Sequence, residues 1–262
     1  MQNREPVFEL INVSYDYLGR YPALKDISMS VKVGECISIL GANGSGKSTL
    51  LKILDGLIFP SSGIVKAFGV PLSEASLDLN KNDFSRYFRS RVGLVFQDSD
   101  AQLFSPLVWE EVAFGPLQMD LPRIEVEKRV DDVLSLLQIR HLKDRSPYAL
   151  SEGEKRKVAI ASVLSIGSDV LILDEPSAGL DPLSQAWLED FLIEMSKIGK
   201  TIITATHDLG LAENISERSI ILNGKHEVTV DGLTEVVLSD WDLLLKSNLV
   251  HEHIHKHGKV IH

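Results

Sequence analysis

Apolar and polar positions change period several times along this 262-residue chain, and the changes divide it into elements. Between residues 7 and 33 the period is two. Val7, Ile11, Val13, Tyr15 and Tyr17 fall on one face, and Ile27, Met29, Val31 and Val33 alternate with Ser28, Ser30 and Lys32, which predicts an antiparallel strand pair. Short, mainly apolar runs at 36–40, 92–96, 170–173 and 201–206 read instead as strands buried on both faces. A helical period appears at 50–54. It returns at 125–137, where Val126, Val130, Val133, Leu134 and Leu137 form one stripe, and again after Ser151. A turn at 60–63 precedes a strand at 64–68, and Asn223-Gly224 predicts a hairpin into 228–230. Pro106, Pro116, Pro122 and Pro147 punctuate residues 98 to 150, a helical insertion between two core strands.

Composition changes this picture little. Hydrophobic content of 44% and charged content of 24% suit a globular chain, and a net charge of −10 argues against a nucleic-acid partner. The short basic runs Lys155-Arg156-Lys157 and Arg86 through Arg91 read as solvated faces. The single cysteine, Cys36, reads as a small buried hydrophobe in a reducing compartment. The N-terminus lacks the apolar core of a signal peptide, and no apolar run nears the roughly 20 residues of a membrane span, so action at a membrane is expected to run through a partner.

One stretch carries most of the chemistry. Gly41-Ala42-Asn43-Gly44-Ser45-Gly46-Lys47-Ser48-Thr49 fits Gly-x-x-x-x-Gly-Lys-Ser/Thr in full, between a predicted strand and a predicted helix. Gly41, Gly44 and Gly46 let the backbone wrap a polyphosphate with its N–H groups inward, and the helix N-terminus adds positive potential there. Lys47 is expected between the β- and γ-phosphates and the Ser48 hydroxyl on Mg²⁺, so the chain is expected to bind a nucleoside triphosphate.

The ends of the other buried strands point to the same place. Gln97 ends one and is a candidate to bind Mg²⁺ or position water. Asp174-Glu175 ends another: Asp174 suits the metal's water shell, and Glu175 suits a residue that orients the attacking water. His207 ends a third. Ser151 and Glu154 form a capping box, which accounts for them without function; the alternative is a second helix N-terminus aimed at phosphate. Tyr17 or Tyr15 could stack on a base. In the tail, His251, His253, His255 and His257 alternate along one side and could converge on a transition metal.

Together these motifs resemble the ATP-binding-cassette ATPases over nearly the whole chain. The resemblance implies an α/β fold: a P-loop NTPase core (about 34–60, 90–97 and 156–222), an antiparallel β-subdomain (about 5–33 and 61–70), a helical subdomain (about 98–155) and a C-terminal segment (223–262). It makes Gln97 the glutamine loop, His207 the switch histidine, Asp181 part of the D-loop and Tyr17 the adenine-stacking aromatic. Residues 150–154, Leu-Ser-Glu-Gly-Glu, fall where the family has its Leu-Ser-Gly-Gly-Gln signature. Two cassettes then pack head to tail, Ser151 and the Gly153 N–H of one reaching the γ-phosphate held by the other. Glu152 departs from the pattern and is expected to point outward. Residues 96–106 and 110–116 are similar to the energy-coupling-factor transporters, most of all the ATPase subunit of cobalt or nickel importers, as is the histidine-rich tail. The cofactors implied are ATP and Mg²⁺. The partners implied are a second ATPase subunit, identical or not, a transmembrane coupling subunit docking at 98–116 and a substrate-binding membrane subunit. The place implied is the cytoplasmic face of the cell membrane. A vitamin importer and a soluble cassette ATPase are the alternatives.

Overall fold

The computed structural model describes residues 6–78 and 83–250. β1 (Pro6–Tyr17), β2 (Tyr21–Lys32), β4 (Ser62–Ala67) and the short β5 (Val70–Pro71) form an antiparallel sheet in the order β2-β1-β4-β5. β1 does not alternate simply. Phe8, Leu10 and Val13 are buried while Ile11 faces solvent, which removes Ile11 from its expected face. The cause is a bulge at Asn12, where φ is +50° and the pairing with both neighbours slips register. A β-carbon on Gly63 would lie 2.2 Å from the Asn12 carbonyl oxygen, so glycine is required opposite the bulge. Val33 lies beyond β2 and is half exposed.

The second sheet has six strands in the order β10-β9-β3-β8-β7-β6: β3 (Cys36–Leu40), β6 (Val92–Val95), β7 (Val170–Asp174), β8 (Thr201–Thr206), β9 (Arg218–Leu222) and β10 (Val228–Leu233). All neighbours are parallel except the β9–β10 hairpin. The four runs predicted as doubly buried strands are buried at every position except Phe96, which lies just past β6 and is partly buried, because alternate residues feed two cores. Ile172 packs with β1, β2 and α1 (Lys47–Leu54), whereas Leu171 and Leu173 pack with helices on the other face. Cys36 is buried and free. Parallel pairing brings the C-terminal ends of β3, β6, β7 and β8 to one edge, where an open α/β sheet binds its ligands.

Between β6 and β7 lie α3 (Ser99–Gln102), α4 (Val108–Gln118), α5 (Arg123–Leu136) and α6 (Glu152–Leu164). The stripe of α5 buries Val126, Val130 and Leu134, with Leu137 just beyond. The run from Arg86 to Arg91 is largely the solvated face expected, with Arg86 and Arg91 exposed and Arg89 partly buried, whereas Lys155-Arg156-Lys157 is largely buried. Arg86 through Arg91 belong to α2 (Asp83–Arg91), where Arg89 donates to the Asp55 carbonyl oxygen at 2.8 Å and Arg91 pairs with Asp169. Lys155 and Arg156 are 8% and 3% exposed, and the Lys157 ammonium sits 4.3 Å from the Trp187 ring centre. Long side chains bury their stems and spend their charge on carbonyls, carboxylates and a ring.

The predicted hairpin forms, but its turn is longer than Asn-Gly requires. Asn223 Oδ1 accepts from the N–H groups of Lys225 and Glu227, and the left-handed residue is His226 (φ +66°) rather than Gly224. α7 (Pro182–Lys197) joins β7 to β8; α8 (Leu209–Ile215), α9 (Thr234–Ser239) and α10 (Trp241–Lys246) complete the fold. His251, His253, His255 and His257 lie outside the described residues. Among the described residues, no helix is long and apolar enough to cross a membrane, and no three His, Cys, Asp or Glu side chains converge to hold a metal.

Candidate active site

The phosphate loop leaves β3 at Gly41 and enters α1 at Lys47. It is clamped from behind: a β-carbon at Gly41 would lie 2.6 Å from the Leu222 carbonyl oxygen, and one at Gly46 (φ +108°) would lie 2.2 Å from that of Ala23. α1 starts at Gly46 with no side-chain cap, so its first N–H groups are available to an anion. The Ser45 hydroxyl is buried without a hydrogen-bond partner.

Lys47 and Glu175 meet beneath this loop, each side chain 6% exposed, with Nζ 3.1 Å from Oε1. Nζ donates to the carbonyl oxygens of Gly41 (2.7 Å) and Ala42 (3.4 Å), while Oε1 has the charge beside it but no hydrogen-bond donor of its own. Oε2 is crowded by comparison, accepting from Thr206 Oγ1 (3.2 Å), the His207 N–H (3.3 Å) and His207 Nδ1 (2.9 Å). A carboxylate only accepts, so Nδ1 carries the proton there. Glu175 also has φ +43°, a left-handed backbone costing on the order of 1 kcal/mol or more in a non-glycine residue, and its N–H donates to the Ala205 carbonyl oxygen.

Asp174 lies one residue back, at the end of β7. Burial pushes its carboxyl up from the ordinary value, against a hydrogen bond from Ser48, and the charge of Glu175 pushes the same way as burial. Its Oδ1 is buried with no hydrogen-bond partner. An orphaned carboxylate oxygen, a serine hydroxyl beside it and the exposed Gln97 on the same cleft make a set of hard oxygen donors, which fits Mg²⁺. The cleft has a volume of about 550 Å³ and runs from Tyr17 past Asn43, Gly44 and Ser48 to Gln97. Tyr17 stands at its rim, with its hydroxyl 3.2 Å from Thr49 Oγ1. Tyr15 packs edge-on behind it against the core, 4.9 Å between ring centres.

Ser151, Gly153 and Asp181 do not line this cleft. Ser151 caps α6, its Oγ accepting from the Glu154 N–H, while Glu154 Oε2 accepts from the Ser151 N–H and hydroxyl at 2.9 Å each. The Ser151 backbone donor holds the Glu154 carboxyl below its usual value. Glu152 turns along the helix and pairs with Lys155 (3.0 Å), which also reaches Asp100 (2.8 Å). Gly153 is packed against α7: a β-carbon there would lie 2.5 Å from Ser184 Oγ. Asp181 caps α7 through the Leu183 and Ser184 N–H groups and the Ser184 hydroxyl, which holds its carboxyl low.

Several contributors carried no sequence signal pointing to this site. Arg156 donates to the carbonyl oxygens of Phe96 (2.6 Å) and Gln97 (2.7 Å), and Gln102 accepts from the Phe96 N–H, tying the segment around Gln97 to α6. Thr206, which donates to Glu175, is marked by the sequence only as a strand residue. His226 enters the cleft from the β9–β10 turn, its Nδ1 3.3 Å from the Ser45 carbonyl oxygen.

The chain matches the family described as "ABC transporter" over residues 24–178. It is 56% identical to a putative ABC transporter ATP-binding protein of Methanosarcina acetivorans, over 97% of this chain and 92% of that one. It is 43% identical to the nickel import ATP-binding protein LarO of Lactiplantibacillus plantarum, over 86% of this chain and 92% of the relative. Among solved structures it resembles cbiO1 from Clostridium perfringens, described as part of the ABC transporter complex cbiONQ. There the TM-score is 0.78 with 39% identity, covering 94% of this chain and 95% of that one.

Proposed function

Because the chain belongs to the ABC transporter family, as one of its ATP-hydrolysing members, we propose that it powers a membrane importer of the energy-coupling-factor type that carries cobalt or nickel ions. The observation that carries the hydrolytic part is the commitment of Glu175 to Lys47 on one oxygen and to Thr206 and His207 on the other. Polyphosphate would draw Lys47 away, and closure on a γ-phosphate would draw His207 away. Glu175 would then be free to orient water. Tyr17 stacks on adenine, while Gly41, Asn43, Gly44, Ser45, Gly46 and Thr49 cradle the phosphates. Ser48, Asp174 and Gln97 would hold Mg²⁺, which supplies neutralising charge to the leaving phosphate.

Ser151, Gly153 and Asp181 act in the opposing site of a head-to-tail pair of such chains. Nothing in one copy satisfies that role, since they lie off its own cleft. Transport is supported by a braced aromatic surface within 98–116. Phe104 and Phe114 meet edge-on, 4.9 Å between ring centres, both well exposed, and the buried Glu111 accepts from the Phe104 and Ser105 N–H groups to hold that loop. A transmembrane coupling subunit would dock there, with a substrate-binding subunit beside it, placing this chain on the cytoplasmic face of the membrane. The ion assignment rests on the similarity to the nickel import protein and to cbiO1.

The test is to purify the tagged chain with its membrane subunits, reconstitute them in liposomes and measure ATP-dependent uptake of labelled Ni²⁺ and Co²⁺. Uptake that disappears with Glu175→Gln is the expected result. Vitamin uptake without metal uptake would overturn the ion assignment. Purification without any membrane subunit would overturn the transport assignment.

A further inference from the structure

The strands flanking the phosphate loop divide the cleft into two sides. β8, β7 and β6 lie on one side of β3 and deliver His207, Asp174, Glu175 and Gln97. β9 lies on the other side, and the turn at its end delivers His226, which shares the cleft with Tyr17, Pro22 and Ala23. If this cleft holds ATP with its γ-phosphate at the first side and its base on Tyr17, His226 falls where the sugar between them would lie.

Its ring is set rather than loose. The Ser45 carbonyl oxygen can only accept, so the Nδ1 that faces it at 3.3 Å is the protonated nitrogen. In the neutral imidazole this leaves a lone pair on Nε2, an acceptor suited to a hydroxyl donor. The backbone is fixed as firmly: the His226 N–H donates to the Asn223 carbonyl oxygen at 3.0 Å, and its own carbonyl accepts from the Lys25 N–H at 2.9 Å. A Lys25–Glu227 ion pair ties the turn to β2. All this holds a non-glycine residue at φ +66°, a conformation that a β-carbon disfavours.

We propose that His226 accepts a hydrogen bond from a ribose hydroxyl of the bound nucleotide, and so makes the site prefer ribonucleotides to deoxyribonucleotides. The proposal rests on the reading of this cleft as the ATP site. Calorimetric titration of the full chain with ADP, 2′-deoxy-ADP and 3′-deoxy-ADP tests it, alongside His226→Ala and, as a nucleotide-site control, Lys47→Ala.

Wild type should bind ADP about fivefold more tightly than one of the deoxy analogues, roughly what one net hydrogen bond is worth, and His226→Ala should bind all three alike. Equal affinity of wild type for the three would overturn the proposal. So would a preference that survives in His226→Ala, or an equal loss for all three ligands, which would make the ring a brace for the loop alone. Failure of wild type to bind ADP at all, or ADP binding unchanged in Lys47→Ala, would sink the cleft assignment instead. His226→Phe keeps a flat ring without either nitrogen and is read in the same way if the alanine variant does not fold.

Discussion

α1 and α6 both begin at a glycine- and serine-bearing segment followed by basic side chains, yet their first turns are finished in opposite ways. α1 starts after a left-handed glycine with no side-chain cap, and the loop before it is clamped by the Ala23 and Leu222 carbonyls. α6 starts on a complete capping box, with Ser151 and Glu154 satisfying each other. A helix end stays open for a ligand only where other chain segments hold it in place. An end on an exposed lobe closes on itself until something covers it. The first geometry is a site; the second, on the proposed pairing, would be half of a contact.

Breaking the open end should have the largest effect. Glu175→Gln is expected to lower ATP turnover by about a thousandfold while leaving ADP affinity within a few-fold, since catalysis by a positioned carboxylate is worth that order. Steady-state hydrolysis and calorimetry check the two halves of that statement. Next comes the buried pair beneath the loop. Lys47→Met leaves the buried Glu175 without its cation and should lower nucleotide-free stability by about 3 kcal/mol in chemical denaturation. Adding Glu175→Gln to it should restore most of that loss while the enzyme stays inactive, because no unpaired charge then remains.

The closed end should respond less. Ser151→Ala removes the cap and is expected to cost about 1 kcal/mol of stability. It should reduce turnover of the assembled pair at least tenfold and leave ADP affinity of one copy unchanged. A fall in ADP affinity matching the fall in turnover would place Ser151 in its own copy's site and break the comparison.

The smallest effect concerns the far end of α1. Burial pushes the Asp55 carboxyl up to about 7, only partly opposed by Arg89. The folded chain therefore holds this proton between pH 4 and 7 while the unfolded chain releases it, so folding stability should fall as pH rises through that window. Asp55→Asn should flatten the decline and raise the melting temperature near pH 8 by a few degrees.

The sheet and the phosphate loop were legible because their signals are local. Doubly buried strands have no polar face, and the loop's residue types follow from contact with phosphate. Ile11 was misplaced because a bulge at Asn12 shifts the face without changing composition, and the Asn-Gly pair concealed a longer turn. Arg156 and His226 reach the site from residues distant in sequence: Arg156 lies 59 positions from Gln97 and His226 lies 181 from Ser45. Such contacts are set by packing, and a charge run or a lone histidine reads the same with or without them.

The central claim is that the nucleotide cleft is half a site, completed by α6 of another copy. Sedimentation of Glu175→Gln with and without saturating ATP and Mg²⁺ tests it most directly. The account predicts a shift from monomer to dimer on adding ATP, absent when Ser151→Ala is combined with it. A chain that binds ATP yet sediments as a monomer at every concentration would contradict it.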